Sequence, residues 1–386
     1  MKKSLMALGV GVAVASLTFL TACSAGTEAS APAEEETVEL SPEAQAAADL
    51  ISQVTKPVDE FVAPGPAVDG SALEGKTVYF IPASLQVPLM GHLAEGVTQA
   101  LANVGATVQS CDAKANPADA ASCVNQAVDA QAAVVVTAGL TPEFAPAAFD
   151  ALLAAGIPWV QGLTAPAGDL DPAQVGYVTP NIIMLQTWST NWVIADSDAK
   201  ANVLVIKMTD TPTTTMWGDV GILGVYDEAC SECRVEVIEI NTGQLERLPS
   251  LVSSALIANP DITYVQSQAD SILSGVLQGI QSAARDDVRV VSMDGFLSTM
   301  QDLEAGGQVK AVSGFNSDAL AWYMSDAAVR LTSDAPAVVP SDFPFRRLFT
   351  SDNVRELTIT ADALESGEWF GKADYQAGFL ELWGVN

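Results

Sequence analysis

The chain has 386 residues, with 47 acidic against 17 basic side chains, one histidine and a formal net charge of −30. This balance excludes a nucleic-acid binder, because phosphate contacts need clustered Lys and Arg. It predicts a solvated, self-repelling surface that keeps the chain soluble and monomeric, with a site attracting a cationic solute as the competing reading.

Lys2 and Lys3 precede an almost uninterrupted apolar run from Leu5 to Leu20, which is short for a bilayer span and has no basic flank behind it. The pattern predicts a secretory signal. Leu20-Thr21-Ala22-Cys23 resembles the bacterial lipobox, which implies that residues 1–22 are removed and that Cys23 carries lipid. An ordinary signal peptide with a chance cysteine is the rival. Segment 24–38, rich in Ser, Ala, Pro and Glu, cannot build a core and reads as a tether. The run "SPEAQAAADLISQVT" predicts a short helix with Ser41 as N-cap and Pro42 in the first turn. A Pro/Gly-rich lead-in closes this region, 23–74.

From Lys76 short β-type runs alternate with helical ones. "KTVYFIPAS" precedes a helix near 89–103, "ATVQSCDA" one near 118–130, and "AAVVVTAG" one near 142–155; "IPWVQG" and "QVGYVTP" complete the set. Pro117 and Pro142 stand where first helical residues belong, Gly105 and Gly156 where helices stop. The alternation then restarts with "ANVLVIKMT", "RVEVIEI", "ITYVQSQ", "VRVVSMDG" and "QVKAVSGFN". Uniformly apolar strands separated by helices predict an α/β protein of two doubly wound parallel-sheet lobes.

Beyond Cys23 there are four cysteines. Export favours disulfides Cys111–Cys123 and Cys230–Cys233. Zinc is the rival, but the pairs are far apart in sequence. "CSEC" as a redox centre is a second rival, yet it follows a helical stretch, at the wrong end of the dipole for thiolate chemistry.

In this order, "ALANVGATVQSCDAKANPADAASCVNQAV", "AAGIPWV", "GYVTPN", "SQADSILSGVLQGIQSAA", "VRVVSMDG" and "GGQVKAVSG" resemble the type I periplasmic-binding fold, and in particular the sugar-binding lipoproteins of bacterial ABC importers. The resemblance covers about 76–350. It implies a three-segment hinge with crossings near Pro180, Asn316 and Phe345. The lobes would then be 75–179 plus 316–344 and 180–315 plus 345–386. It also implies a ligand cleft where strand carboxyl ends of the two lobes face each other, closing on the solute.

Strand carboxyl ends suggest a site on topological grounds too. After the first strand stand Gln86, able to donate or accept, and Met90, which either lines the site or packs under the helix start with Leu89. Gln161 falls where the sugar binders often carry Asp-Arg, and Asp210 and Trp217 lie where they often carry arginine. Ala269 replaces a usual Asn, with Asp270 next to it. Asp294 in "SMDG" matches, and its carboxylate accepts two hydroxyl hydrogen bonds at once. Phe315 stands near the place of an amide side chain. Trp188 and Trp192, four apart, read as a core stripe with a stacking platform as alternative. His92, with no ligand-spaced partner, reads as surface or structural.

These departures exchange charged and amide groups for apolar ones. Sugar hydroxyls left unpaired in a closed cleft cost about 1–3 kcal/mol each, so a less hydroxylated solute competes with a sugar. The resulting expectation is a membrane-anchored, extracytoplasmic lipoprotein delivering a small molecule to an ABC permease. Signalling to a membrane receptor is the alternative. With one His, no HExxH, no Gly-x-Ser-x-Gly elbow and no Walker loop, no enzyme, metal or cofactor is expected. A transcription regulator of this fold would need a helix-turn-helix where this chain has a secretion signal.

Overall fold

The computed structural model describes residues 40–164, 170–333, 335 and 343–385. The leader, Cys23 and the tether up to residue 39 lie outside them. Helix α1 (Pro42–Val54) begins as its sequence predicts: the Ser41 hydroxyl accepts from Ala44 N at 3.3 Å and proline fills the first turn.

Strands β1 (Thr77–Pro82), β2 (Thr107–Ser110), β3 (Val134–Ala138), β4 (Trp159–Gly162) and β5 (Val175–Val178) form a wholly parallel sheet, ordered β2-β1-β3-β4-β5. Parallel strands need crossover helices, here α2 (Pro88–Ala102), α3 (Pro117–Asp129) and α4 (Pro146–Ala154). The single helix predicted over 142–155 is divided. Pro142–Phe144 make one 3-10 turn, Ala145 leaves helical space (φ −149°, ψ 65°), and α4 starts at Pro146. The residue before a proline disfavours the α region, so the second proline restarts the helix.

The second half runs through α5 (Ile182–Asp196), β6 (Asn202–Met208), α6 (Pro212–Gly218), α7 (Gly224–Ala229), β7 (Arg234–Ile240), α8 (Leu248–Ala258), β8 (Tyr264–Ser267), α9 (Leu273–Ser282), β9 (Arg289–Asp294), α10 (Leu297–Glu304) and β10 (Val309–Phe315). Helix α11 (Ser317–Thr332) packs on α2 and on β3, β4 and β5, whereas β11 (Arg346–Thr350) pairs antiparallel with β10. The second sheet is ordered β11-β10-β9-β8-β6-β7. Two short helices follow, α12 (Ala361–Glu365) and α13 (Tyr375–Leu382).

Between α6 and α7 the helix widens into a π turn, Asp219–Leu223. Gly221 there lies against α5, where a Cβ would come within 2.7 Å of Gln186 Cβ and 2.8 Å of Ile183 O. The Thr190 hydroxyl donates to Gly221 O. A π turn leaves carbonyls without their usual partner, and Thr190 supplies one.

Alternation places Val78, Phe80, Val134 and Val136 in one core, and Tyr79, Ile81, Val135 and Trp159 in a second core on the opposite face of the first sheet. The first of these cores continues without a break through α11 and α5 into the second sheet. Trp188 belongs to it and Trp192 packs against it, so the tryptophan pair is a core stripe.

The chain passes between the sheets at 179–181, at Asn316 and at Phe345. Arg346 donates to Pro180 O at 3.3 Å, and Asn316 N donates to Phe345 O at 2.9 Å, so the passages are hydrogen-bonded to one another. Two further segments differ from the expected layout. Helix α1 is docked on α5 instead of standing in a tether, and α13, expected with the second lobe, packs on α11.

Candidate functional site

The predicted residues lie at strand carboxyl ends and just beyond them: Gln86, Asp210 and Asp270 after β1, β6 and β8, Gln161, Asp294 and Phe315 within β4, β9 and β10, and Met90 and Trp217 in α2 and α6. After β1, Ala83 N donates to Ala138 O at 2.8 Å and Leu85 N to Asp112 Oδ1 at 3.0 Å. Asp112 also accepts from Lys114 N, and the adjacent Cys111–Cys123 disulfide ties its loop to α3. The result is a braced loop presenting Leu85, Gln86 and Val87 to solvent. Asp112 heads the Asp-x-x-x-x-Pro turn that ends at Pro117, and an Asp just past a strand is a common turn-former. Met90 is buried and packs beside Gly139, under the helix start. His92 is exposed.

Gln161 is wholly buried and donates from Nε2 to Thr164 Oγ1. It lies on the face of the sheet that also carries Trp159. Phe315 is buried too, in register with Arg346 of β11. Asp210 is exposed, but its Oδ1 accepts from Thr242 N at 2.9 Å and Thr242 Oγ1 at 2.7 Å, which joins the loops after β6 and β7. Trp217 is half-buried in α6, beside Gly218. Lys207 and Gln268 crowd that glycine to within 3 Å of where a Cβ would stand. Lys207, buried on β6, is held by Asp219 (2.6 Å) and by Glu239 (2.9 Å), its register partner on β7. Asp219 first, and then Glu239, raises its pKa. Gln268 accepts from Met208 N and donates to Thr214 O, both at 2.8 Å.

Asp270 and Asp294 come together at the ends of β8 and β9. Asp270 N donates to Asp294 Oδ2 at 3.2 Å. Asp270 Oδ2 accepts from Gly295 N at 2.9 Å and Phe296 N at 2.8 Å. Asp270 is buried and Asp294 half-buried. Desolvation lifts the Asp270 pKa to about 6, and desolvation followed by the nearby Asp270 charge lifts that of Asp294 well above the carboxylate range. Asp294 also has φ 129°, a strained conformation for a residue with a Cβ, costing about 1–3 kcal/mol and characteristic of functional positions. Gly314 on the neighbouring strand makes room, since a Cβ there would lie 3.0 Å from Asp294 O.

Both cysteine pairs are disulfides, and Cys230 is the C-cap of α7, away from the helix end that would activate a thiolate. Among the described residues, no group of three His, Cys, Asp or Glu could hold a metal, and no helix is long and apolar enough to cross a membrane.

Two α/β sheets bridged in this way define the type I periplasmic-binding fold. The sequence profile of the periplasmic binding protein domain matches residues 78–335, and the chain belongs to that family. Among solved structures, a 5-methylthioribose transporter solute-binding protein from Thermotoga lettingae superposes with a TM-score of 0.68 at 15% identity, covering 81% of this chain and 99% of its own. An ABC sugar transporter subunit from Rhodobacter sphaeroides gives 0.63 at 18%, covering 73% and 100%. A Mycobacterium smegmatis protein in complex with β-D-fucofuranose gives 0.64 at 16%, covering 76% and 97%. No curated protein sequence matches the chain.

Proposed function

We propose that this chain is an extracytoplasmic solute-binding lipoprotein that captures a small, sugar-like or more apolar molecule between its lobes and delivers it to an ABC-type permease. The family match over 78–335 supports the binding role, and the single observation that supports the site is Asp294, strained and half-buried at a strand carboxyl end. The neighbours' sugar ligands support the solute class. Anchoring through Cys23 rests on the lipobox-like sequence alone.

Of the predicted lining residues, Gln86, Asp210, Trp217 and Asp294 retain exposure; Gln86, Trp217 and Asp294 are the proposed direct contacts, while Leu85 and Val87 add an apolar lip. Met90, Gln161 and Phe315 lie beneath, shaping the wall; Asp210 is engaged with Thr242. Ligand-driven closure would follow from better binding in the closed arrangement.

A thermal-shift screen over pentoses, hexoses, 5-methylthioribose, polyols and small aromatic solutes tests this. At least one compound should raise the Tm, and Asp294→Ala should remove that shift while moving the ligand-free Tm little. Undiminished affinity in Asp294→Ala would show that the site lies elsewhere. A screen without any shift, together with a cleft filled by the protein's own side chains, would refute solute capture.

A further inference from the structure

Asp270 was expected to touch the solute, yet its carboxyl group is turned into the protein. Oδ2 accepts from two consecutive backbone amides, Gly295 and Phe296, in the turn that carries Asp294 into α10. Its own amide reaches back to Asp294 Oδ2. Ser292 of β9 and Thr299 of α10 stand near the same carboxyl group and oppose the rise in its pKa, but Oδ1 itself has no hydrogen-bond partner among the described residues. Three hydrogen bonds thus join one side chain and its backbone to the strained residue and its two successors. Gly314, the register partner of Asp294 on β10, leaves room for φ 129°, and the hydrogen bonds with Asp270 tie down the turn that follows it.

We infer that Asp270 is a positioning residue, which holds the β9–α10 turn in the one conformation that presents the Asp294 carboxyl group for solute binding. This rests on the reading of Asp294 as a solute contact. Asp270 acts through Asp294 and need not meet the solute. It also lines, with Thr299, Ser274 and Asp302, a cavity of about 750 Å³ between α9 and α10. The groups facing the two carboxyls are each other and the Gly295 and Phe296 amides, with Ser292 and Thr299 nearby and Asp302 lining the same cavity.

The test uses the full, solute-free chain with labelled aspartate and glycine/phenylalanine, read by NMR. Asp294 should titrate above the ordinary carboxylate range in the wild type. Asp270→Asn keeps an acceptor for both amides but removes the second charge, so it should lower the Asp294 pKa by about one unit or more. Asp270→Ala should speed hydrogen exchange at the Gly295 and Phe296 amides at least about tenfold, and Asp270→Asn should restore protection. A structural cap alone would change exchange without moving the Asp294 titration. The inference is overturned if Asp294 titrates identically in Asp270→Asn, or if both amides stay equally protected in Asp270→Ala. Should Asp270→Ala not fold, the Asp270→Asn titration still decides. None of these measurements needs a solute, so a failed solute screen and a failed clamp are told apart.

Discussion

Single side chains near Asp294 are set against the usual preferences of their types, and that has a consequence for stability. A carboxyl group whose folded pKa lies above its unfolded value binds more protons when folded. Asp270, raised from 3.8 to about 6, therefore contributes stability that is fully present below about pH 4 and is lost as the pH climbs through 6. Asp294 acts in the same direction. We expect the Tm of the wild type to fall more between pH 4 and pH 7 than that of Asp270→Asn, followed by circular dichroism. Parallel curves for the two proteins would mean that the carboxyls do not share an environment. This pairing was only half visible beforehand. "SMDG" and the Asp after Ala269 stood out as types, but 24 residues separate them, and hydrogen bonding between them depends on β8 and β9 lying side by side.

Among the elements, the least anticipated is the pairing of the two ends of the folded body. Val58 N donates to Phe370 O at 2.7 Å, Val68 N to Leu382 O at 2.8 Å and Gly70 N to Trp383 O at 3.0 Å. Phe61 meets Phe379 edge-on at 4.9 Å, and the Tyr323 hydroxyl of α11 donates to Val62 O. These contacts cover α11, which is buried on every side and accordingly carries its ion pair, Asp326–Arg330 at 2.7 Å, fully inside, with Trp383 Nε1 completing Asp326. Both covering segments lie outside 78–335. Gly371 permits the crossing: its φ is 132°, and a Cβ there would come within 1.9 Å of Val58 O. Gly371→Ala should cost about 2 kcal/mol or more in urea unfolding. A loss below about 0.5 kcal/mol would show that the two segments can part without consequence to the core.

Taken together, the folded body combines a core that runs through both sheets, and a second one on the other face of the first sheet, with a large excess of acidic side chains. Like charges at that density repel in the compact state more than in the expanded one. Raising the salt from about 10 mM to about 150 mM shortens the screening length from roughly 30 Å to 8 Å, so the Tm should rise with salt over that range. A Tm that falls with added salt would mean that attractive pairs such as Lys207 with Asp219 and Glu239 outweigh the repulsion.

The elements, their order and the α/β class were readable in advance because they depend on local rules: apolar runs of strand length, helix-starting prolines, and glycines such as Gly105 and Gly156 at positive φ. Both disulfides were readable as well, since each joins cysteines close in sequence. Which polar side chains stay open to solvent was not. Gln161 stands near the carboxyl end of β4, yet its burial depends on which face it turns to and on what packs over it. The docking of α1 on α5 and of α13 on α11 likewise joins segments with no local signal for each other. Local propensity acts within a few residues, whereas the Asp270 clamp and the covered α11 arise from contacts between distant parts of the chain, which exist only once the sheets have formed.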